Sequence, residues 1–249
     1  MIKSFSQFIN ESTEDKPKFI KDIALKLLTQ VRQHTVEDSE NYSKFSGMHF
    51  TEPYRFDLKL ELKKDSQFTA EDDPHFKNLP WEQLNFKEDS YSIDANTRVH
   101  HDKTKTPEII ITLVINPNDE PHLYRSLHAR LVDILTHETN HLDQNGPGRD
   151  PFSANPTIGD SRNSAKKSYE YFLLPDEIES MVEGMFARAQ ELNQPLDAIF
   201  DDYLQPFVKS KYINPQEYDK VMQTWVKYAI ERYPEVNFSK NVEKIVNSI

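Results

Sequence analysis

His137-Glu138-Thr139-Asn140-His141 is the stretch of this sequence whose residue types and spacing could do chemistry. On an α-helix, residues four apart stand one turn above each other with about 40° of rotation between them, so both imidazoles can reach a single ion. Two neutral nitrogens on a rigid helix suit Zn²⁺, and a catalytic zinc needs three protein ligands and one position left for water. Glu138 directly follows the first histidine and could take a proton from that water and return it, as a general base. From the chain's own His and Glu frequencies, the five-residue pattern arises by chance in roughly 3 of 100 sequences of this length. The bland alternative is a turn of surface helix with two solvated histidines.

The third ligand must come from elsewhere. The chain has no cysteine, which excludes a disulfide framework, a thiol nucleophile and any thiolate-held zinc or iron–sulfur centre. No histidine follows His141. An extended metzincin pattern would place glycine three residues and histidine six residues after His141, where this chain has Gln144 and Pro147. The remaining donors are acids, and a helix starting at Pro175 offers Glu177, Glu179 and Glu183. Glu177 shares a face with Ser180, Met181 and Gly184, and Ala187 continues the stripe, whose small residues let another helix approach, whereas Glu179 and Glu183 align with Gln190 on a face that reads as solvent. Glu177 is therefore the expected ligand. An acid in a first helical turn is also favoured by the helix dipole alone.

These residues need elements to position them. Residues 12–16 are polar and read as a linker, and from Pro17 apolar residues recur at helical spacing through Phe19, Ile20, Ile23, Leu27, Leu28 and Val31, ending near His34. The segment 35–53 reads as irregular. Tyr54, Phe56, Leu58, Leu60 and Leu62 then alternate with Arg55, Asp57, Lys59 and Glu61 as in a half-buried strand. Residues 64–90 read as a long polar excursion. A second alternating run (Ile93, Ala95, Thr97, Val99) and a third strand, Glu108 to Asn116, lie close enough to form a hairpin. The unbroken Ile and Val content of the third suggests burial on both faces. A long amphipathic helix follows from about Pro121 and carries the histidines. Gly146-Pro147-Gly148 stops it, 145–168 reads as loop, and the chain beyond Pro175 reads as helices. The expected fold is α+β, with a small, mainly antiparallel sheet on the histidine helix and a mostly helical C-terminal part. In domain terms, 1–16 is a separate segment and linker, and 17–249 one domain made of 17–144 and 169–249.

Composition excludes other classes. The five glycines stand at 47, 146, 148, 159 and 184 and form no phosphate cradle of Rossmann or P-loop spacing. Thirty basic against 41 acidic residues give a formal charge of −11, which argues against binding nucleic acid. No run approaches the roughly 18 to 20 apolar residues of a membrane span, and Met1 to Glu11 lacks the apolar core of a secretory signal.

His137, Glu138 and His141, with Glu177-Ile178-Glu179-Ser180 downstream, resemble the gluzincin type of zinc metallopeptidase, whose third ligand is a Glu followed three residues later by a small residue. The resemblance implies a zincin-like fold, one Zn²⁺ held by His137, His141 and Glu177, Glu138 as the catalytic residue, and a protein or peptide substrate. It also makes Tyr169 and Tyr171 candidates for a phenol that steadies an oxyanion, although core packing is the plainer role for these rings. In zincins an edge strand pairs with extended substrate, and Glu108 to Asn116 is the candidate here. The loop Asn145 to Ser168 could form the opposite wall or a lid.

Met1 to Glu11 is similar to the capsid-targeting sequence of T-even-type bacteriophage internal head proteins: a short Lys/Ser/Phe segment ending in an aliphatic residue, any residue, then Glu. Ile9-Asn10-Glu11 matches the pattern cut by the phage prohead protease, which would leave Ser12 as the new N-terminus. The resemblance implies location inside the phage head and then delivery to the host bacterial cytoplasm. A frayed helix with Phe5, Phe8 and Ile9 on one face accounts for the same residues. Two other functional readings stand beside the peptidase: a non-enzymatic packaged phage protein whose metal only ties two helices together, and a metal hydrolase acting on a non-peptide amide.

Overall fold

A computed structural model describes residues 5–35, 41–50, 55–65, 91–98, 105–115, 123–144, 169–239 and 242. In chain order the elements are α1 (Phe5–Thr35), β1 (Asn41–Phe50), β2 (Phe56–Asp65), β3 (Tyr91–Arg98), β4 (Glu108–Ile115), α2 (Leu123–Gln144), a 3₁₀ turn (Tyr169–Leu173), α3 (Pro175–Leu192), α4 (Leu196–Lys209) and α5 (Pro215–Arg232). The protein is α+β, mostly helical, with one four-stranded mixed sheet. No helix among the described residues is long and apolar enough to cross a membrane.

The chain divides into two units, and the division falls inside α2, between Thr139 and Asn140. The first unit holds the sheet, in the order β1-β2-β4-β3. β1 pairs antiparallel with β2, β2 runs parallel to β4, and β3 pairs antiparallel with β4. Period-two patterning puts Phe56, Leu58, Leu60 and Leu62 of β2 on one face, beside Ile109, Ile111, Leu113 and Ile115 of β4 and Tyr91 and Ile93 of β3, all of them buried. The same unit buries Ile20, Ile23, Ala24, Leu27, Leu28 and Val31 of α1 and Leu127, Leu131, Val132 and Leu135 of α2. Phe19 of α1 meets Phe56 edge-on at 6.3 Å, Arg32 lies over the Tyr124 ring at 5.0 Å, and the Tyr91 hydroxyl reaches Ser126 of α2 at 3.2 Å. The other face of the sheet is polar at Lys59, Glu61 and Lys63, and there Lys59 and Arg98 both pair with Glu108.

Several expectations change. The helix expected from Pro17 begins at Phe5, so residues 12–16 are helical backbone and Pro17 stands inside the helix. The segment expected to be irregular holds β1, an edge strand whose sequence NYSKFSGMHF has no uniformly apolar face to announce it. The β3–β4 hairpin is present, and two of the three strand pairings are antiparallel. However, β4 alternates buried with half-buried residues and is not buried on both faces. It is also an interior strand, flanked by β2 and β3, so it cannot be the edge that receives a substrate strand. The excursion 66–90, the loop 145–168 and Asn116 lie outside the described residues.

The second unit has an aromatic core. Trp225 and Phe200 are fully buried, and Phe172 packs edge-on against Tyr203, Phe207 and Trp225. Trp225 also donates its indole N–H to the Phe172 carbonyl at 2.9 Å, which fixes the 3₁₀ turn immediately before α3. Pro175 starts α3 at a position where its missing N–H costs nothing, and Asn193 in the left-handed region (φ 54°) ends it. Asn214 and Glu217 form a reciprocal capping box at the start of α5.

Candidate metal centre

α2 presents His137 and His141 one turn apart, and α3 presents Glu177 from its first turn. One ligand atom from each of the three lies within 4.8 Å of the others, so the group could hold a metal ion. The Glu177 carboxylate has no exposed surface, and its Oε2 lies 3.7 Å from His141 Nε2. That separation is too long for a hydrogen bond but suits two ligands that each stand about 2 Å from a shared ion. The dipole of α3 favours negative charge at this position. Two imidazoles and a carboxylate, with no cysteine in the chain, fit zinc.

The neighbours of these groups decide how they point. His141 Nδ1 contacts Gln144 Oε1 at 2.8 Å and the Ser180 hydroxyl at 3.3 Å. Ser180 is fully buried, one helical turn beyond Glu177, so the small residue three positions on leaves room for an imidazole of α2. The carboxylate of Glu138 is buried, and its Oε2 accepts a 2.7 Å hydrogen bond from Thr97 of β3. Thr97 Oγ1 also stands 3.1 Å from the Glu138 carbonyl. Thr97 occupies the same side of β3 as Tyr91, Ile93 and Ala95, so strand alternation directs it toward α2.

Glu179 and Glu183 do not face solvent as the helical wheel suggests. Glu179 accepts from Gln144 at 3.1 Å, and Glu183 accepts from Asn140 at 2.8 Å and pairs with Arg232 at 3.4 Å. Burial is the largest influence on the Arg232 pKa and opposes its charge, yet Glu183 together with the Tyr233 and Tyr228 rings raises it above the usual value. Burial, and then the charge of Glu183, push the neighbouring Tyr233 phenol well up. Both acids thus support the histidine-bearing end of α2, while Glu177 is the member of the set that joins the histidines.

Tyr169 and Tyr171 stand in the 3₁₀ turn and pack against the aromatic core. The Tyr169 hydroxyl is approached by Lys220 Nζ at 3.4 Å, and Tyr171 lies edge-on to Phe172 at 5.8 Å. Neither is among the three gathered ligands. Glu11 and Ser12 lie on the helical backbone of α1. Thr97, Asn140 and Gln144 are functional neighbours that sequence reasoning missed. Gln144 had a local signal, being three residues after His141 on the same helix face. For Thr97, a threonine in an alternating strand, there was none.

The chain matches no protein-family model, no curated protein and no solved structure.

Proposed function

We propose that the protein is a zinc-dependent metalloendopeptidase with a zincin-like fold, and the observation that carries the reading is the convergence of His137, His141 and Glu177 beside the buried Glu138. The three donors that two helices bring together among the described residues match the ligand count of catalytic zinc sites, whereas structural sites are closed by four. Bound there, zinc would supply Lewis acidity that acidifies water and polarises a peptide carbonyl. His137, His141 and Glu177 would hold the ion. Glu138 takes the proton of the attacking water and passes it to the departing amine, held in place by the Thr97 hydroxyl on one carboxylate oxygen. β3 replaces β4 as the strand that pairs with extended substrate, because its outer edge has no neighbour in the described sheet. The similarity of Met1 to Glu11 to a capsid-targeting sequence supports a protein cut by a prohead protease, carried in a phage head and acting on a host protein in the bacterial cytoplasm.

Metal content and hydrolysis, measured on wild type and Glu138→Gln, test the reading. The variant should keep one zinc per chain and lose hydrolysis of a protein substrate by about 10²-fold or more. Hydrolysis undiminished in a zinc-loaded Glu138→Gln protein would overturn the general-base role, and a wild type that takes up no zinc would overturn the metal site.

A further inference from the structure

Gln144 stands where a longer zincin motif has glycine, yet its side chain is almost wholly buried. Burying a primary amide is costly unless its carbonyl and both amide hydrogens are engaged, and the surroundings of Gln144 engage them all. Its Nε2 lies 3.0 Å from the Asp176 carbonyl, 3.1 Å from Glu179 Oε2 and 3.2 Å from the Ser180 hydroxyl. Its Oε1 lies 2.8 Å from His141 Nδ1.

The two amide hydrogens have three acceptors on α3 to share, and these contacts fix which way the amide faces. The Asp176 carbonyl can only accept, so the nitrogen end of the amide must face α3 and the oxygen end must face His141. An amide oxygen can only accept, so His141 must carry its hydrogen on Nδ1. The lone pair of the neutral ring is then on Nε2, the atom 3.7 Å from Glu177 Oε2. The nitrogen end of the same amide grips the first turn of α3 on both sides of Glu177, at Asp176 and at Glu179 and Ser180.

We propose that Gln144 is the positioning residue of the metal centre: one side chain fixes the tautomer and orientation of His141 and, through its other end, the placement of the α3 turn that carries Glu177. As a statement about metal binding this rests on the zinc reading above. Its structural half, the His141 tautomer, does not. The residue touches neither substrate nor reacting atoms. It works by holding two ligands from different helices at a fixed distance before the ion arrives, and loss of such an outer partner typically weakens metal affinity by about 10- to 100-fold.

The test uses the full chain and two readouts: Zn²⁺ affinity by competition with a chromophoric chelator, and ¹⁵N NMR of the His141 ring in metal-free protein. Gln144→Met keeps the length and burial of the side chain but removes every hydrogen bond. It should bind Zn²⁺ about 10- to 100-fold more weakly and lose the Nδ1–H signature of His141. Gln144→Glu restores an acceptor for Nδ1–H but sets a carboxylate against the Asp176 carbonyl and Glu179, so it should keep the Nδ1–H signature with an affinity between the other two. Wild-type affinity together with an unchanged His141 signature in Gln144→Met would overturn the proposal. Should Gln144→Met not fold, loss of the Nδ1–H signature in Gln144→Glu would overturn it instead. If the wild type binds no Zn²⁺, the metal reading fails, and the ring signatures still decide whether Gln144 sets the tautomer.

Discussion

Thr97 has one hydroxyl hydrogen and two oxygens of Glu138 within reach, and the 2.7 Å carboxylate contact is the shorter. A hydrogen bond to a charged group contributes about 1.5–3 kcal/mol, and the general base proposed above would depend on its orientation to aim at water. Thr97→Val keeps the shape and strand preference of the side chain while removing that bond. Turnover should fall about tenfold or more at unchanged zinc stoichiometry, and Thr97→Ser should recover most of it. Steady-state kinetics on metal-loaded protein checks this, and a Val variant as active as wild type would refute the assignment. The site is unevenly legible in sequence for a physical reason. His137, Glu138 and His141 are related by helix geometry alone, so their spacing reveals them. Gln144 meets His141 within one helical turn, a local relation, but Thr97 and the other contacts of Gln144 join partners 41 and 32 to 36 residues away, and nothing local encodes those.

At the level of elements, the face of α3 decides the ligand. Glu179 lies about 200° around the helix from Glu177, and the two have different partners: the imidazoles of α2 for Glu177, the Gln144 amide for Glu179. After dialysis, Glu177→Ala should retain no zinc and Glu179→Ala should retain one ion per chain, with metal analysis as the measurement; the reverse would exchange their roles. A helical wheel distinguishes the two acids but does not tell which flank is covered, which is why Glu179 and Glu183 read as solvent-facing. The sheet shows the same limit. The hairpin of β3 and β4 follows from short separation and alternation, whereas the parallel pairing of β2 with β4 joins strands 51 residues apart in register, Asp57 with Glu108. β1 carries no such signal, because an edge strand need not show a regular apolar face.

For the molecule as a whole, the acidity matters most. If the protein is carried in a phage head as proposed, a formal charge of −11 beside packaged DNA would require counterions to offset the repulsion. Removing Met1 to Glu11 does not relieve it, since that segment carries Lys3 against Glu11, +1 − 1 = 0. Processing would therefore serve delivery and not charge. Protein recovered from phage particles should have an intact mass that begins at Ser12, and a mass that retains Met1 would reject processing. The proline inside α1 bears on how such a cut could occur. A protease needs its target extended, yet Glu11 and Ser12 stand on helical backbone. Pro17 has no N–H to offer the Thr13 carbonyl, so the hydrogen-bond ladder is interrupted between the first dozen residues and the buried stretch from Ile20 to Val31. On the processing proposal, this interruption is where the helix would open ahead of the cut. If Met1 to Glu11 is the targeting segment proposed above, the proline would act as a tear line, letting that segment be opened and removed without unfolding the stretch from Ile20 to Val31.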